Sequence, residues 1–145
     1  MANEHRSADH WEHFPHVADI GVRGVGATKQ AAFEQAACAL IAAVAEIDRI
    51  APKARVRISC SAPNDEALLV EWLNALVFEM ATRSMLFCRF SVHIDGSRLN
   101  AEAAGEAIDL ERHEVAAEAK GATYTELSVR QLDDGRWLAQ CVVDV

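Results

Sequence analysis

The chain of 145 residues is long enough to bury the core of one domain, and its 51% hydrophobic and 25% charged residues are typical of a soluble globular protein. No stretch approaches about 18 uninterrupted apolar residues, which argues against a membrane span, and the N-terminus lacks the apolar segment of a signal peptide. With a formal net charge of −8, the protein is not expected to bind nucleic acid tightly on its own. We expect a cytoplasmic protein with a polar tail at residues 1–10 and a single domain at residues 11–145.

Three histidines recur at every third position near the start of the chain: His10, His13 and His16. On a helix they would share one face, as metal ligands do, but Pro15 argues against a helix here. In an extended chain this spacing places the histidines on alternating faces, so a zinc site is a minor hypothesis.

Residues 18–26 are predicted to form a strand, and two amphipathic helices are predicted further along the chain. The three glycines of this strand favour a bulge or a close backbone crossing over a dinucleotide site. Thr28 is placed to cap a helix over residues 29–47, where apolar residues recur at steps of three and four. A second helix begins after Pro63 with acidic residues in its first turn and ends at Arg83.

Residues 53–60 alternate cleanly as a strand and direct a basic row outward: Lys53, Arg55 and Arg57. Such a row is usually a solvated strand face, and a binding role is the alternative. The four cysteines lie in apolar segments without metal-site spacing, which indicates reduced thiols in the core.

Turn signals join the remaining strands in pairs. Asp95-Gly96 connects residues 86–94 to residues 98–105, and an Asp-Asp-Gly turn connects residues 123–132 to residues 137–145. A bulge is expected near Thr125, and residues 109–118 form a polar connection. The pattern predicts an α+β fold: a mostly antiparallel sheet of about six or seven strands, packed with two long amphipathic helices.

Two acids interrupt apolar surroundings at opposite ends of the chain, Asp19 and Asp144. If a sheet brought them together with the terminal carboxylate, the oxygens would suit a hard cation. The alternative is that Asp19 caps a turn and Asp144 is a solvated strand end. Lys120 precedes a strand that can pair near the C-terminal strand, where it would contact a carboxylate or a phosphate, or simply be exposed.

Several enzyme classes lack their sequence signatures in this chain. The chain has no P-loop, no H-E-x-x-H helix and no nucleophile elbow. Its serines, histidines and acids show no recognisable catalytic arrangement, so a hydrolase has no specific support.

Several ordered stretches resemble the archease family, over about residues 11–145. The stretches are His16-Val-Ala-Asp-Ile-Gly-Val-Arg23, Gly26-Ala-Thr28, Ala32-Phe33-Glu34-x-Ala36-Ala37, Glu66-Ala-Leu-Leu-Val-Glu-Trp-Leu-Asn74, Gly105-Glu106, Arg112-His113, Lys120-Gly-Ala-Thr-Tyr124 and Trp137…Val142-Val-Asp-Val145. The resemblance implies the archease fold and a non-enzymatic accessory protein. Such a protein assists the RtcB-type RNA ligase, which joins tRNA halves or broken RNA using GTP and a divalent metal, by promoting its guanylylation and multiple turnover.

The resemblance also implies site residues. It maps a metal site onto Asp19 and Asp144, with Val145 supplying a main-chain or terminal oxygen, and Ca²⁺ is the expected ion, with Mg²⁺ or Mn²⁺ as alternatives. It maps the functionally important lysine onto Lys120, and His16 is expected to serve activation or to contact the partner or a phosphate.

The sequence departs from the family pattern at three positions: Val17 replaces a common threonine, Thr125 a frequent histidine and Gly121 an alanine. The first two departures leave fewer ligands for a metal or phosphate. Two other functions compete with the ligase activator. One is a chaperone-like modulator of RNA or tRNA methyltransferases, and the other is a small metal-dependent hydrolase that uses Asp19 and Asp144. A homo-oligomer is left open.

Overall fold

The computed structural model describes residues 9–16 and 18–145, and within them the chain forms two α-helices and eight strands. In chain order these are β1 (His10–His16), β2 (Asp19–Gly26), α1 (Lys29–Val44), β3 (Ala54–Ser61), α2 (Asp65–Arg83), β4 (Met85–Asp95), β5 (Arg98–Ala107), β6 (Gly121–Ala122), β7 (Ser128–Gln131) and β8 (Trp137–Asp144). A short 3₁₀ turn, Ile47–Arg49, follows α1.

The strands form two antiparallel sheets. The five-stranded sheet has the order β1-β2-β8-β6, and β7 also pairs with β8. The three-stranded sheet has the order β3-β5-β4. The second strand, β2, and the last strand, β8, are neighbours, which places an early and a late segment of the chain side by side.

Both helices bury apolar faces in one core that the two sheets share. Trp72 of α2 is fully buried and donates from Nε1 to the main-chain oxygen of Phe33 in α1 at 3.0 Å. The first helix also lies directly on β2, because a Cβ atom built on Gly24 would meet the main-chain oxygen of Ala32 at 2.1 Å. The close backbone crossing predicted from the strand glycines is confirmed at this position.

Side-chain caps fix where the helices begin. The Thr28 hydroxyl accepts the N–H of Ala31 at 3.0 Å, as the sequence predicts, and Asn64 Oδ1 accepts the N–H of Ala67 at 2.8 Å. Each cap satisfies one main-chain donor that the first helical turn leaves without a partner.

The first helix ends at Val44, three residues before the predicted end at residue 47. The connection between β5 and β6 supplies the reason. Ala116 donates its N–H to Val44 O, and Glu46 donates its N–H to His113 O at 2.8 Å. These bonds to a distant segment replace the helical bonds that the local pattern favours.

Helix α1 also closes one edge of the three-stranded sheet. Gln30 Oε1 accepts the N–H of Ile94, and Glu34 Oε2 accepts the N–H of Val92, each at 2.8 Å. Two ladder donors of β4 are thereby satisfied by side chains rather than by another strand.

The predicted α+β class is confirmed, but the strand inventory differs in two ways. The predicted strand at residues 123–132 consists of β6 and β7, separated by a turn in which Glu126 has a left-handed φ of 55°. The histidine segment forms β1, which adds a strand that the prediction did not include. No helix in the described residues is long and apolar enough to span a membrane.

The four cysteines are free thiols, and Cys141 is fully buried. Burial raises the pKa of Cys141 to about 12 and the pKa values of Cys38 and Cys60 to about 11. These thiols are therefore protonated at neutral pH, as expected for structural cysteines.

Candidate functional site

The candidate site lies where neighbouring strands of the five-stranded sheet end. His16 of β1 is opposite Asp19 of β2. Ile20 pairs with Val143 between β2 and β8, so Asp19 and Asp144 each lie one residue beyond that pair. The sheet thus brings together Asp19 of β2 and Asp144 of β8, which lie near opposite ends of the sequence, with His16 beside them.

Asp19, Asp144 and His16 share the sheet face that points away from the helices. Ile20 and Val143, their neighbours along β2 and β8, belong to the core on the helix side. Because successive strand residues point to opposite faces, the two aspartates point outward. Side chains directly opposite on adjacent antiparallel strands have Cβ atoms about 5 Å apart. The geometry of the sheet therefore sets two carboxylates side by side on an accessible face.

The three histidines do not form a cluster. His13 donates from Nε2 to the main-chain oxygen of Ala39 in α1 at 2.8 Å, so it points toward the helices. His16 is exposed on the other face. Within residues 9–16 and 18–145, no group of three or more His, Cys, Asp or Glu side chains is arranged to hold a metal.

Arg23, which lies on the same sheet face, is engaged by other side chains. Arg23 donates from Nη1 to Glu12 and from Nε to Gln140, both at 2.8 Å, and its guanidinium lies 4.9 Å from the centre of the Phe14 ring. The hydrogen bond from Arg23 lowers the pKa of Glu12. Arg23 is thus already paired and is not a counter-ion for the two aspartates.

Among the described residues, no basic side chain lies within ion-pair distance of Asp19 or Asp144. Both side chains are half-buried, and like charges directly across two strands destabilise a sheet. Two adjacent carboxylates without a counter-ion suit a hard divalent cation, which prefers oxygen ligands. They supply only part of a coordination shell, so main-chain oxygens, water or a partner would have to complete it.

The main chain at the end of β8 adds to the site. Lys120 donates its N–H to Asp144 O at 2.8 Å, and Gly121 pairs with Asp144 across the ladder. The Lys120 side chain is exposed. The Val145 side chain packs against the core, so only a main-chain oxygen of this residue could bind a metal ion.

Asn74 of α2 has a positioning role that the sequence analysis did not assign. Its Oδ1 accepts the N–H of Ala122 at 2.8 Å and holds β6 against the helix. Thr123, directly after β6, is held to β8 instead, because its hydroxyl donates to Val142 O at 2.9 Å. In the sequence, Asn74 is a polar residue among the apolar residues of a predicted helix, and this position could have indicated that its side chain binds a neighbouring segment.

The turn between β1 and β2 carries backbone strain at the site. Ala18 has a φ of 64°, a left-handed conformation that a residue with a Cβ adopts at a cost of roughly 1 kcal/mol or more. Val17, one of the departures from the family pattern, lies outside the described residues. The other two departures, Gly121 and Thr125, lie at β6 and in the turn after it.

A second polar cluster lies away from the site and holds the β5–β6 connection. Arg112 makes a two-pronged contact with the Glu106 carboxylate at 2.9 and 3.0 Å, and Ala51 donates its N–H to the same group at 2.7 Å. His113, which is fully buried, contacts it at 2.9 Å. These hydrogen bonds, with that of Arg112 the largest cause, hold the pKa of Glu106 far below its ordinary range.

Comparisons with known proteins agree with this architecture over almost the whole chain. The model of the Archease protein family (MTH1598/TM1083) matches residues 11–145. The protein named "Protein archease" from Pyrococcus furiosus is 38% identical over 139 residues, which cover 93% of this chain and 98% of that protein. Its counterpart from Thermococcus gammatolerans is 37% identical over 139 residues, with the same coverage of both chains.

A solved structure shares the fold. The solution structure of protein 1598 from Methanobacterium thermoautotrophicum superposes with a TM-score of 0.80 at 28% identity, and the match covers 93% of this chain and 98% of that one. The fold and the site thus define a small α+β protein with paired acids at the end of its larger sheet. The chain belongs to the archease family.

Proposed function

We propose that this protein is a metal-binding accessory protein that activates an RtcB-type RNA ligase by promoting its guanylylation and multiple turnover in tRNA splicing or RNA repair. The observation that carries the proposal is the pair formed by Asp19 and Asp144, two adjacent carboxylates on an accessible sheet face to which no described residue supplies a counter-ion. Membership of the archease family supports the choice of partner.

In this proposal, the residues at the end of the sheet have different roles: some bind the metal and others contact the partner. Asp19 and Asp144 hold the divalent cation, with Ca²⁺ first and Mg²⁺ or Mn²⁺ as alternatives, and a Val145 main-chain oxygen adds a ligand. A bound cation supplies positive charge for phosphate oxygens. Lys120, which is exposed and makes no ion pair among the described residues, contacts a phosphate or a carboxylate of the partner. His16, exposed beside Asp19, contacts the partner or a phosphate.

The surface charge suits a protein partner that works on RNA. The net charge of −8 opposes tight binding of free nucleic acid, whereas a ligase with a basic RNA channel would attract an acidic protein. No reacting group is assigned to the accessory protein, so it is expected to show no turnover by itself.

The test is multiple-turnover RNA ligation by the RtcB-type ligase from the same source, with and without this protein. We expect stimulation by the wild type and its loss, by at least about tenfold, in Asp19→Ala and in Asp144→Ala. Asp133→Ala is the matched control, because it removes the same charge from the exposed turn before β8. Stimulation that persists in both site variants would leave the partner correct and the metal mechanism wrong.

Lys120→Ala separates the lysine from the metal site. We expect it to lose stimulation while divalent cations still raise the thermal stability of the protein as they do in the wild type. No stimulation by the wild type with any of the three metals would overturn the ligase activator. A change in methyltransferase specificity on adding the protein would then favour the methyltransferase modulator, and turnover of substrate by the protein alone would favour the hydrolase.

A further inference from the structure

The outer face of the three-stranded sheet is a second surface to which the proposed function assigns no role. The strand register places its residues in rows across β3, β5 and β4. Along the face these rows are Arg55–Ala104–Arg89, Arg57–Glu102–Ser91, Ser59–Asn100–His93 and Ser61–Arg98–Asp95. We call this set the basic sheet face. It contains two of the three members of the basic row singled out in the sequence, Arg55 and Arg57.

The basic sheet face is positive in a protein that is strongly negative. It carries four arginines against two acids, Glu102 and Asp95. Among the described lysines and arginines, five have no ion-pair partner within 4 Å: Arg57, Arg89, Arg98, Lys120 and Arg130. Three of these five lie on this face. Arg55 is 76% exposed and reaches Glu102 only at 3.7 Å, which is a weak surface pair.

Two shallow depressions run along the same face. One has a volume of about 370 Å³ and is lined by Arg57, Ser59, His93 and Asn100, among others. The other has a volume of about 360 Å³ and is lined by Arg55, Arg89 and Ala104, among others. Both include Ser91 and Glu102, so they adjoin and form one continuous trough.

The residue types on the face indicate what would occupy the trough. Arginine, serine and asparagine are among the side chains that contact phosphate oxygens and sugars in nucleic-acid complexes. The outward positions carry no Phe, Tyr or Trp, so the face has no series of large aromatic rings on which successive bases could stack. They also carry no large apolar residue, so the face lacks the apolar core that a stable protein interface usually has.

We propose that the basic sheet face binds the phosphodiester backbone of RNA, without reading its sequence. The proposal rests on the proposed function, because the RNA is the one that the ligase handles. Repulsion from the rest of the acidic protein keeps the affinity for free RNA low. Once the ligase holds both partners, the RNA is at a high effective concentration near the face, and a few phosphate contacts suffice.

The experiment measures binding of a short fluorescent single-stranded RNA to the full chain by anisotropy at low ionic strength, without ligase. The test variant is Arg57→Gln/Arg89→Gln, and the matched control is Arg83→Gln/Arg130→Gln, which removes two exposed arginines outside the face. We expect the test variant to weaken binding by about tenfold and to reduce the slope of log affinity against log salt by about two. The control should stay within about twofold of the wild type.

Three outcomes would overturn the proposal. The wild type could fail to bind RNA at low ionic strength, the control could lose as much affinity as the test variant, or both could bind as the wild type does. In a separate binding measurement with the ligase and no RNA, a loss of affinity in the test variant, together with unchanged RNA binding, would show that the face contacts an acidic protein surface and would also overturn the proposal. Because the RNA-binding assay contains no ligase, its result is independent of whether the protein stimulates ligation.

Discussion

His113 donates its Nε2–H to Glu106 Oε2 at 2.9 Å, while its Nδ1 accepts the N–H of Asp109 at 2.9 Å. Because a nitrogen that accepts a main-chain N–H carries no proton, the imidazole is neutral and its tautomer is fixed. The fully buried ring thus links the end of β5 to the connection between β5 and β6. That connection ends at Lys120, beside the candidate site.

Glu106 should make the free energy of unfolding decrease as the pH falls into the acid range. Its folded-state pKa lies below the ordinary value of 4.5, so its stabilisation is fully present above pH 4.5 and is lost as the pH falls below it. We expect Glu106→Gln to be less stable at neutral pH and to lose less further stability on acidification. Urea unfolding at pH 7 and at several values below 4.5 measures this. Glu118→Gln is the control for removing one negative charge, and equal slopes in all three proteins would contradict the assignment.

Replacement of His113 by phenylalanine should leave two polar groups buried without their partner. His113→Phe keeps a ring in the buried site but removes the donor to Glu106 and the acceptor for the Asp109 N–H. We expect a loss of about 2 kcal/mol in the free energy of unfolding. The exposed His93→Phe should change it by less than about 0.5 kcal/mol, so a similar cost for both variants would count against the network.

The crossing of β2 and α1 should not tolerate a methyl group. In Gly24→Ala the new Cβ would meet Ala32 O at 2.1 Å and Ala36 N at 2.3 Å, and both are helix main-chain atoms that cannot move independently. We expect a loss of about 3 kcal/mol or more in the free energy of unfolding, measured by urea denaturation. Gly96→Asn, in an open turn with a φ of 61°, should cost less than about 1 kcal/mol and serves as the control. Comparable losses in the two variants would refute the crossing as the cause.

The end of α2 offers a stabilising substitution. Ser84 has a left-handed φ of 52° and donates its N–H to Met80 O, which is the position where glycine most often ends a helix. We expect Ser84→Gly to raise the free energy of unfolding by about 0.5–1 kcal/mol, because the Cβ penalty is removed. Ser84→Ala keeps the penalty and is the control. A destabilised Ser84→Gly protein would show that the serine side chain matters more than the backbone conformation.

Divalent cations should reverse the order of thermal stability between the wild type and its site variants. Without metal, Asp19→Asn and Asp144→Asn should unfold at the wild-type temperature or slightly above it, because each removes one of two adjacent like charges. With Ca²⁺, Mg²⁺ or Mn²⁺ at about 100 times the dissociation constant, the wild type should gain about 2.7 kcal/mol. The variants should gain little, and Asp133→Asn should follow the wild type. A metal-dependent gain that both site variants retain would place the ion elsewhere.

The features predicted well from the sequence are those that local spacing determines. Thr28 caps α1 as expected, and the Asp95-Gly96 turn joins β4 to β5, because caps, apolar periodicity and turn residues act within a few positions. For Asp19 and Asp144, the residues alone left two alternatives open: a shared cation site, or a turn cap and a solvated strand end. The meeting of these two acids depends on the register between β2 and β8, which no local pattern fixes.

The features missed depend on distant contacts. The division of the strands into two sheets follows from which strands pair, and the early end of α1 follows from hydrogen bonds to residues 113 and 116. The break between β6 and β7 lies where a bulge was expected at Thr125, so the irregularity was located but its extent was not. The basic row was visible in β3, but Arg89 and Arg98 join it only through the sheet.

The caps that Gln30 and Glu34 place on β4 also determine how copies of this protein can meet. A strand from another molecule cannot add at that edge without displacing both side chains from the Ile94 and Val92 N–H groups. The opposite edge is β3, which carries Arg55 and Arg57, and two such strands brought together would repel each other. Hydrogen bonds thus block one edge of the small sheet, and charge repulsion opposes strand addition at the other. Both features oppose the edge-to-edge association of copies that leads to fibrils.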